Sequence, residues 1–158
     1  MGIDAPEVHV LLQDLDGGGA RWWLERSGPE PSRTVMTLRT PPRRGAVWVA
    51  RHWTTDRAGE SGVAPLLLPD IALLTSELVG NAVVHGSGGE VEVRFSVDAE
   101  HATVEVSDAN LDPPEVRRTG PATPGGQGMR LVELLATSWG HHRLPQGRGK
   151  TVWFAIAL

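Results

Sequence analysis

The chain has 158 residues, 40% hydrophobic and 22% charged, enough for one domain with a substantial buried core. It contains no cysteine, which excludes a disulfide scaffold, a thiolate zinc site, an iron–sulfur cluster and a cysteine nucleophile. A net charge of −4 argues against nucleic acid as the main partner, no apolar run is read as approaching the ~20 residues of a membrane span, and residues 1–7 lack the basic and apolar regions of a secretory signal, so a cytoplasmic protein is expected.

Val8, Val10 and Leu12 alternate, Asp16-Gly17-Gly18-Gly19 reads as a turn, and Arg21-Trp22-Trp23-Leu24 is a second β-like run. A hairpin is therefore expected within an N-terminal extension over residues 1–30, followed by a domain over 31–158. Residues 34–39 predict a short strand. Pro41 and Pro42 precede a helical pattern in which Ala46, Val49, Ala50 and Trp53 share one apolar face, with a stop near Gly59 to Gly62. A second helix is predicted from about Asp70 to His85, with Leu74, Leu78 and Val79 along one flank and Gly86 as its stop.

Val91, Val93, Phe95 and Val97 alternate with polar residues, as do Val104 and Val106, and Asp98 to His101 joins the two runs as a tight antiparallel turn. Residues 109–127 are rich in Pro and Gly and read as a long loop. A third helix is expected from Gly128, and Val152, Phe154, Ile156 and Leu158 predict a closing strand. The order helix, helix, hairpin, loop, helix, strand implies an α+β fold. The simplest form is a two-layer α/β sandwich, a mixed, mostly antiparallel sheet covered by helices on one face.

Three motifs carry chemistry. Glu77, Asn81 and His85 are spaced i, i+4, i+8, so they share one helix face. Such a face is either simply solvated or suited to a hard cation and phosphate, with Asn offering a neutral oxygen and Glu able to deprotonate a hydroxyl. The apolar flank buries much of this helix, and a polar face on a buried helix needs a reason. Asp108 ends the second strand of the hairpin, where it can form a turn or accept a hydrogen bond from an exocyclic amine. Gly125-Gly126-Gln127-Gly128-Met129 opens the third helix, as a flexible loop or as a backbone cradle for an anion.

Other features are dismissed or left bland. Gly149-Lys150-Thr151 looks like the end of a P-loop, but its first glycine would fall at Leu144 and a strand follows instead of a helix. His141-His142 reads as surface or strand edge. The six tryptophans read as core or partner-facing. A bias toward Arg, with Lys150 as the only lysine and Asn81 and Asn110 as the only asparagines, suggests a GC-rich coding background.

Taken in order, these pieces resemble the GHKL superfamily of ATP-binding domains, over roughly residues 34–158. Glu77-x-x-x-Asn81-x-x-x-His85 looks like its N box. Asp108 stands where the first glycine box has its adenine-binding Asp, Gly126-Gln127-Gly128 looks like the second glycine box, and Gly149-Lys150-Thr151-Val152-Trp153 resembles the closing strand. The short length resembles the branch of anti-sigma-factor serine/threonine kinases.

The resemblance implies that Asn81 ligands Mg²⁺ and that Glu77 acts as general base toward an acceptor hydroxyl. It also implies that Asp108 reads the adenine amine of ATP with support from Thr151, and that Gly126, Gly128 and the following amides, Met129 among them, cradle phosphate. Arg117, Arg118 and Arg130 would offer cations to the phosphates or simply face solvent. The implied partners are a sigma factor and a STAS-type anti-anti-sigma protein, with a homodimer expected. One departure stands out. The usual Asp-x-Gly-x-Gly reads here Asp108-Ala109-Asn110-Leu111-Asp112. Asn110 is expected to keep the turn by tolerating positive φ, and Asp112 to repel phosphate. Two functions stay open: an ATP-dependent kinase acting by partner switching, and a non-catalytic module of the same fold that sequesters a sigma factor or another regulator.

Overall fold

A computed structural model describes residues 7–9, 18–27, 33–116 and 128–158. The strands are β1 (Glu7–His9), β2 (Arg21–Ser27), β3 (Arg33–Thr40), β4 (Val91–Val97), β5 (His101–Asp108), β6 (Ser138–Arg143) and β7 (Lys150–Ala157). The helices are α1 (Gly45–Glu60), α2 (Leu68–His85) and α3 (Gly128–Leu135). All seven strands form one sheet in the order β1-β2-β3-β4-β5-β7-β6. The fold is α+β, as expected.

Every pairing among the described residues is antiparallel, where a mixed sheet was expected. The connections explain it. Two helices joined by a short connection separate β3 from β4, an out-and-back excursion that returns the chain beside β3 in the opposite sense. The single helix α3 returns β6 in the same sense as β5, but β7 inserts between them, antiparallel to both. Strand β6 is itself an addition to the expected order. It lies at the edge of the sheet and is mostly exposed, so its sequence shows no apolar alternation, and His141 and His142 sit on it.

The sheet register aligns the apolar residues in rows. Leu38, Val93, Val106 and Val152 form one row, and Met36, Phe95, Val104 and Phe154 the next. All eight are buried. Fully burying a side chain such as Phe95 or Phe154 contributes roughly 1.5–3 kcal/mol. The helices cover this side, α1 with Ala46, Val49, Ala50 and Trp53, and α2 with Ile71, Leu74, Leu78, Val79 and Ala82. Helix α2 begins with a proline in its first turn and Asp70 beside its positive dipole end. With the short 3-10 turn before it, Pro65–His85 is long and apolar enough to cross a membrane by length and composition, so the sequence does hold one such run. In the fold Ile71, Leu74, Leu78, Val79 and Ala82 are buried in the core shared with the sheet and α1, while Leu66, Leu73 and Val84 stay exposed.

The tryptophans divide. Trp22 and Trp53 are buried and meet edge to face at 6.2 Å, while Trp48 is exposed and stacks on His52 at 4.1 Å. Two side-chain contacts outside the cavity lining brace the sheet. At the β4–β5 turn, Asp98 Oδ1 accepts the N–H groups of Glu100 and His101, both at 2.8 Å. Just before β4, Arg21 holds Glu90 in a two-point ion pair at 2.6 and 2.8 Å. The Arg21 hydrogen bond keeps the Glu90 carboxyl below its ordinary range and raises the arginine in turn.

Candidate functional site

Helix α2, the end of β5, the start of α3 and the start of β7 enclose a cavity of about 280 Å³. Leu78, Val106 and Val152 give it an apolar wall. Asn81 and His85 enter from α2, Asp108 and Asn110 from the end of β5, Gly128 and Met129 from α3, and Lys150 from β7. Asp112, Pro113, Pro114 and Glu115 form its rim.

Helical periodicity puts Asn81 and His85 on the cavity side of α2. Glu77 does not border the cavity. It lies one turn earlier, against the first residue of α3, where a Cβ added to Gly128 would come within 2.5 Å of Glu77 Oε2. Glycine at this position therefore lets α3 seat on α2.

The β5 end is the most tightly bonded part of the site. Asp108 and Lys150 are opposite each other in the β5–β7 register and are only 8% and 7% exposed. Lys150 Nζ donates to Asp108 Oδ1 at 3.1 Å, to Oδ2 at 3.3 Å and to the carbonyl oxygen of Asn110 at 3.3 Å. The Asn110 N–H donates to Asp108 Oδ1 at 2.7 Å, and the Asp112 N–H donates to Asn110 Oδ1 at 3.0 Å. The turn from Asp108 to Asp112 thus closes through side-chain bonds. It does not use the positive φ expected of Asn110, since Gln146 is the only non-glycine residue with positive φ among the described residues. A glycine is required instead at Gly149. Its φ is +140°, and a Cβ there would meet the Asp108 carbonyl and come 2.9 Å from Ala109 Cα. This close approach starts β7 where Lys150 faces Asp108.

Not every expected residue joins the cavity. Thr151 follows Lys150 in the strand, so its side chain takes the opposite face of the sheet, where its hydroxyl bonds Ser107 Oγ at 2.8 Å. Lys150 and Val152 are the β7 residues that reach the cavity. Arg130 is exposed on α3 and does not line it. Gly126, Arg117 and Arg118 lie outside the described residues. Lys150 is not among the site residues expected from the sequence; the signal that singles it out is that it is the only lysine in the chain.

The cavity offers a buried carboxylate acceptor at one end, a carboxamide and an imidazole along one wall, and an acidic rim. No curated protein matches the chain. The family model of the histidine kinase-like ATPase domain matches residues 40–156, well over half of the chain, and the chain belongs to that family.

Proposed function

From its membership of the histidine kinase-like ATPase family, we propose that this domain binds ATP with Mg²⁺ in the cavity between α2, β5, α3 and β7. It acts as a cytoplasmic anti-sigma-factor serine/threonine kinase that works by partner switching. The observation that carries the nucleotide reading is that Asp108 and Asn81 converge on one cavity from two separate elements. Asp108 is a buried acceptor suited to the exocyclic amine of adenine. Gly128 and Met129, at the start of α3, border the cavity where the phosphates would lie.

Among the described residues no group of three or more His, Cys, Asp or Glu side chains is placed to hold a metal. The neutral oxygen of Asn81 would be the protein's donor to the cation. When bound, the ion neutralises charge on the phosphates. Asn81 orients the phosphate end, and Glu77 is one turn away to take the proton of a serine or threonine hydroxyl. The acceptor is a STAS-type anti-anti-sigma protein and the sequestered partner a sigma factor, bound by a homodimer. The net charge of −4 accords with protein rather than nucleic-acid partners.

A second reading, a binding module without catalysis, is favoured by two observations. Lys150 occupies both oxygens of Asp108, and Asp112 stands at the rim. Thermal shift separates the two. ATP with Mg²⁺ at 100 times its dissociation constant adds about 2.7 kcal/mol, a rise in Tm of roughly 5–10 °C for a domain of this size. The rise requires Mg²⁺ and is lost in Asn81→Ala. Label from γ-³²P-ATP then passes to a STAS protein with wild type and not with Glu77→Gln. Absence of any shift at millimolar ATP refutes the nucleotide reading and leaves the binding module.

A further inference from the structure

We propose that Lys150 is a positioning residue for base recognition: it fixes the Asp108 carboxylate so that the cavity accepts a 6-amino purine and rejects a 6-oxo purine. This rests on the nucleotide reading above. The argument is one of hydrogen-bond capacity. An ammonium has three N–H donors and no acceptor. Lys150 has three acceptors in reach, Asp108 Oδ1, Asp108 Oδ2 and the Asn110 carbonyl, so its protons are all committed.

A carboxylate offers about four acceptor positions, roughly two on each oxygen. Asp108 Oδ1 takes Lys150 and the Asn110 N–H, while Oδ2 takes Lys150 alone. The capacity left on Asp108 itself is therefore an acceptor on Oδ2. An exocyclic amine satisfies it. A 6-oxo group sets acceptor against acceptor, and Lys150 has no free proton with which to meet that oxygen.

The arrangement is held from several directions. The strand register places the two side chains opposite each other, Gly149 permits the close start of β7, and the bond from Lys150 to the Asn110 carbonyl ties the lysine to the turn. Without Lys150, Asp108 would be a buried charge with no ionic partner, free to turn within the space the lysine leaves.

The test measures binding of ATP, of inosine triphosphate and of purine riboside triphosphate, which has no 6-substituent. Wild type, Lys150→Arg and Lys150→Met are compared, each checked for folding by circular dichroism. Wild type binds ATP about 10-fold or more tightly than either analogue, the scale of one hydrogen bond to a charged acceptor. Lys150→Met brings that preference close to 1, and Lys150→Arg restores part of it. A lysine with a merely structural role would weaken all three ligands by the same factor, and an unchanged preference in Lys150→Met overturns the proposal. Wild type that binds none of the three overturns the nucleotide reading itself.

A second measurement does not depend on a variant folding. Because Lys150 is the only lysine, ¹⁵N-lysine labelling gives a single side-chain ammonium signal. Its protons stay protected from exchange when ATP is added. Loss of that protection on adding ATP would mean that the lysine leaves Asp108, which also overturns the proposal.

Discussion

The base of the cavity, where β5 meets β7, and its mouth are built by different means. At the base end, Asp108 and Lys150 belong to paired strands, are almost fully buried, and are locked by bonds to each other and to Asn110. At the mouth, Asp112 and Glu115 stand on irregular backbone and are exposed. A strand residue cannot shift by one position without turning its whole face over, so the base end tolerates little change. The mouth is under no such constraint, and the exposed carboxylate of Asp112 stands there. The buried end of the cavity is thus anchored in the sheet, and its mouth is left to irregular backbone.

The largest test of that contrast is Asp108→Ala. It strands the ammonium of Lys150 in a buried position and removes the acceptor of the Asn110 N–H. Losing one partner of a buried pair costs about 3–5 kcal/mol, a fall in Tm of roughly 10 °C, read by urea and thermal denaturation. A cost under about 1 kcal/mol would mean that the pair does not brace this end.

At the mouth, Asp112→Asn leaves stability within about 0.5 kcal/mol of wild type, as surface substitutions do. It raises ATP affinity a few-fold at low salt, with a smaller gain at high salt, because the removed repulsion acts through solvent. Titration calorimetry at two ionic strengths checks this, and a gain that ignores salt would contradict it.

The smallest effect is expected outside the cavity lining, in Glu90→Gln. The Arg21–Glu90 pair is exposed enough that its contribution is well under 1 kcal/mol. Its pH dependence has a definite sign. Glu90 is held below the ordinary value of 4.5, so the pair stabilises fully above that value and the contribution fades as pH falls through the lower folded value. The difference in stability between wild type and Glu90→Gln, present near neutrality, therefore disappears in acid.

Much of this was legible in one dimension. Helical spacing brought Asn81 and His85 to one face, alternation marked β4, β5 and β7, and the end of β5 identified Asp108. These are local regularities, set by the 3.6-residue turn and the two-residue pleat, and they survive without knowledge of neighbours. Strand β6 was not legible, because an edge strand with half-exposed faces need not alternate. Residues 109–112 misled for a related reason. The missing glycines suggested a turn carried by positive φ, whereas the turn is closed by bonds from Asp108, Asn110 and Lys150, the last of which lies far along the chain.

The closing strand shows where the boundary falls. Its sequence determined that a strand would be there and which residues alternate, since each side chain's preference for one of two faces is written into the pleat. Only the tertiary structure decided which set faces the cavity, placing Lys150 there and turning Thr151 to the other side. That choice depends on register against β5. It is settled by the approach that Gly149 permits and by the match of Lys150 to Asp108, two contacts between segments about forty residues apart.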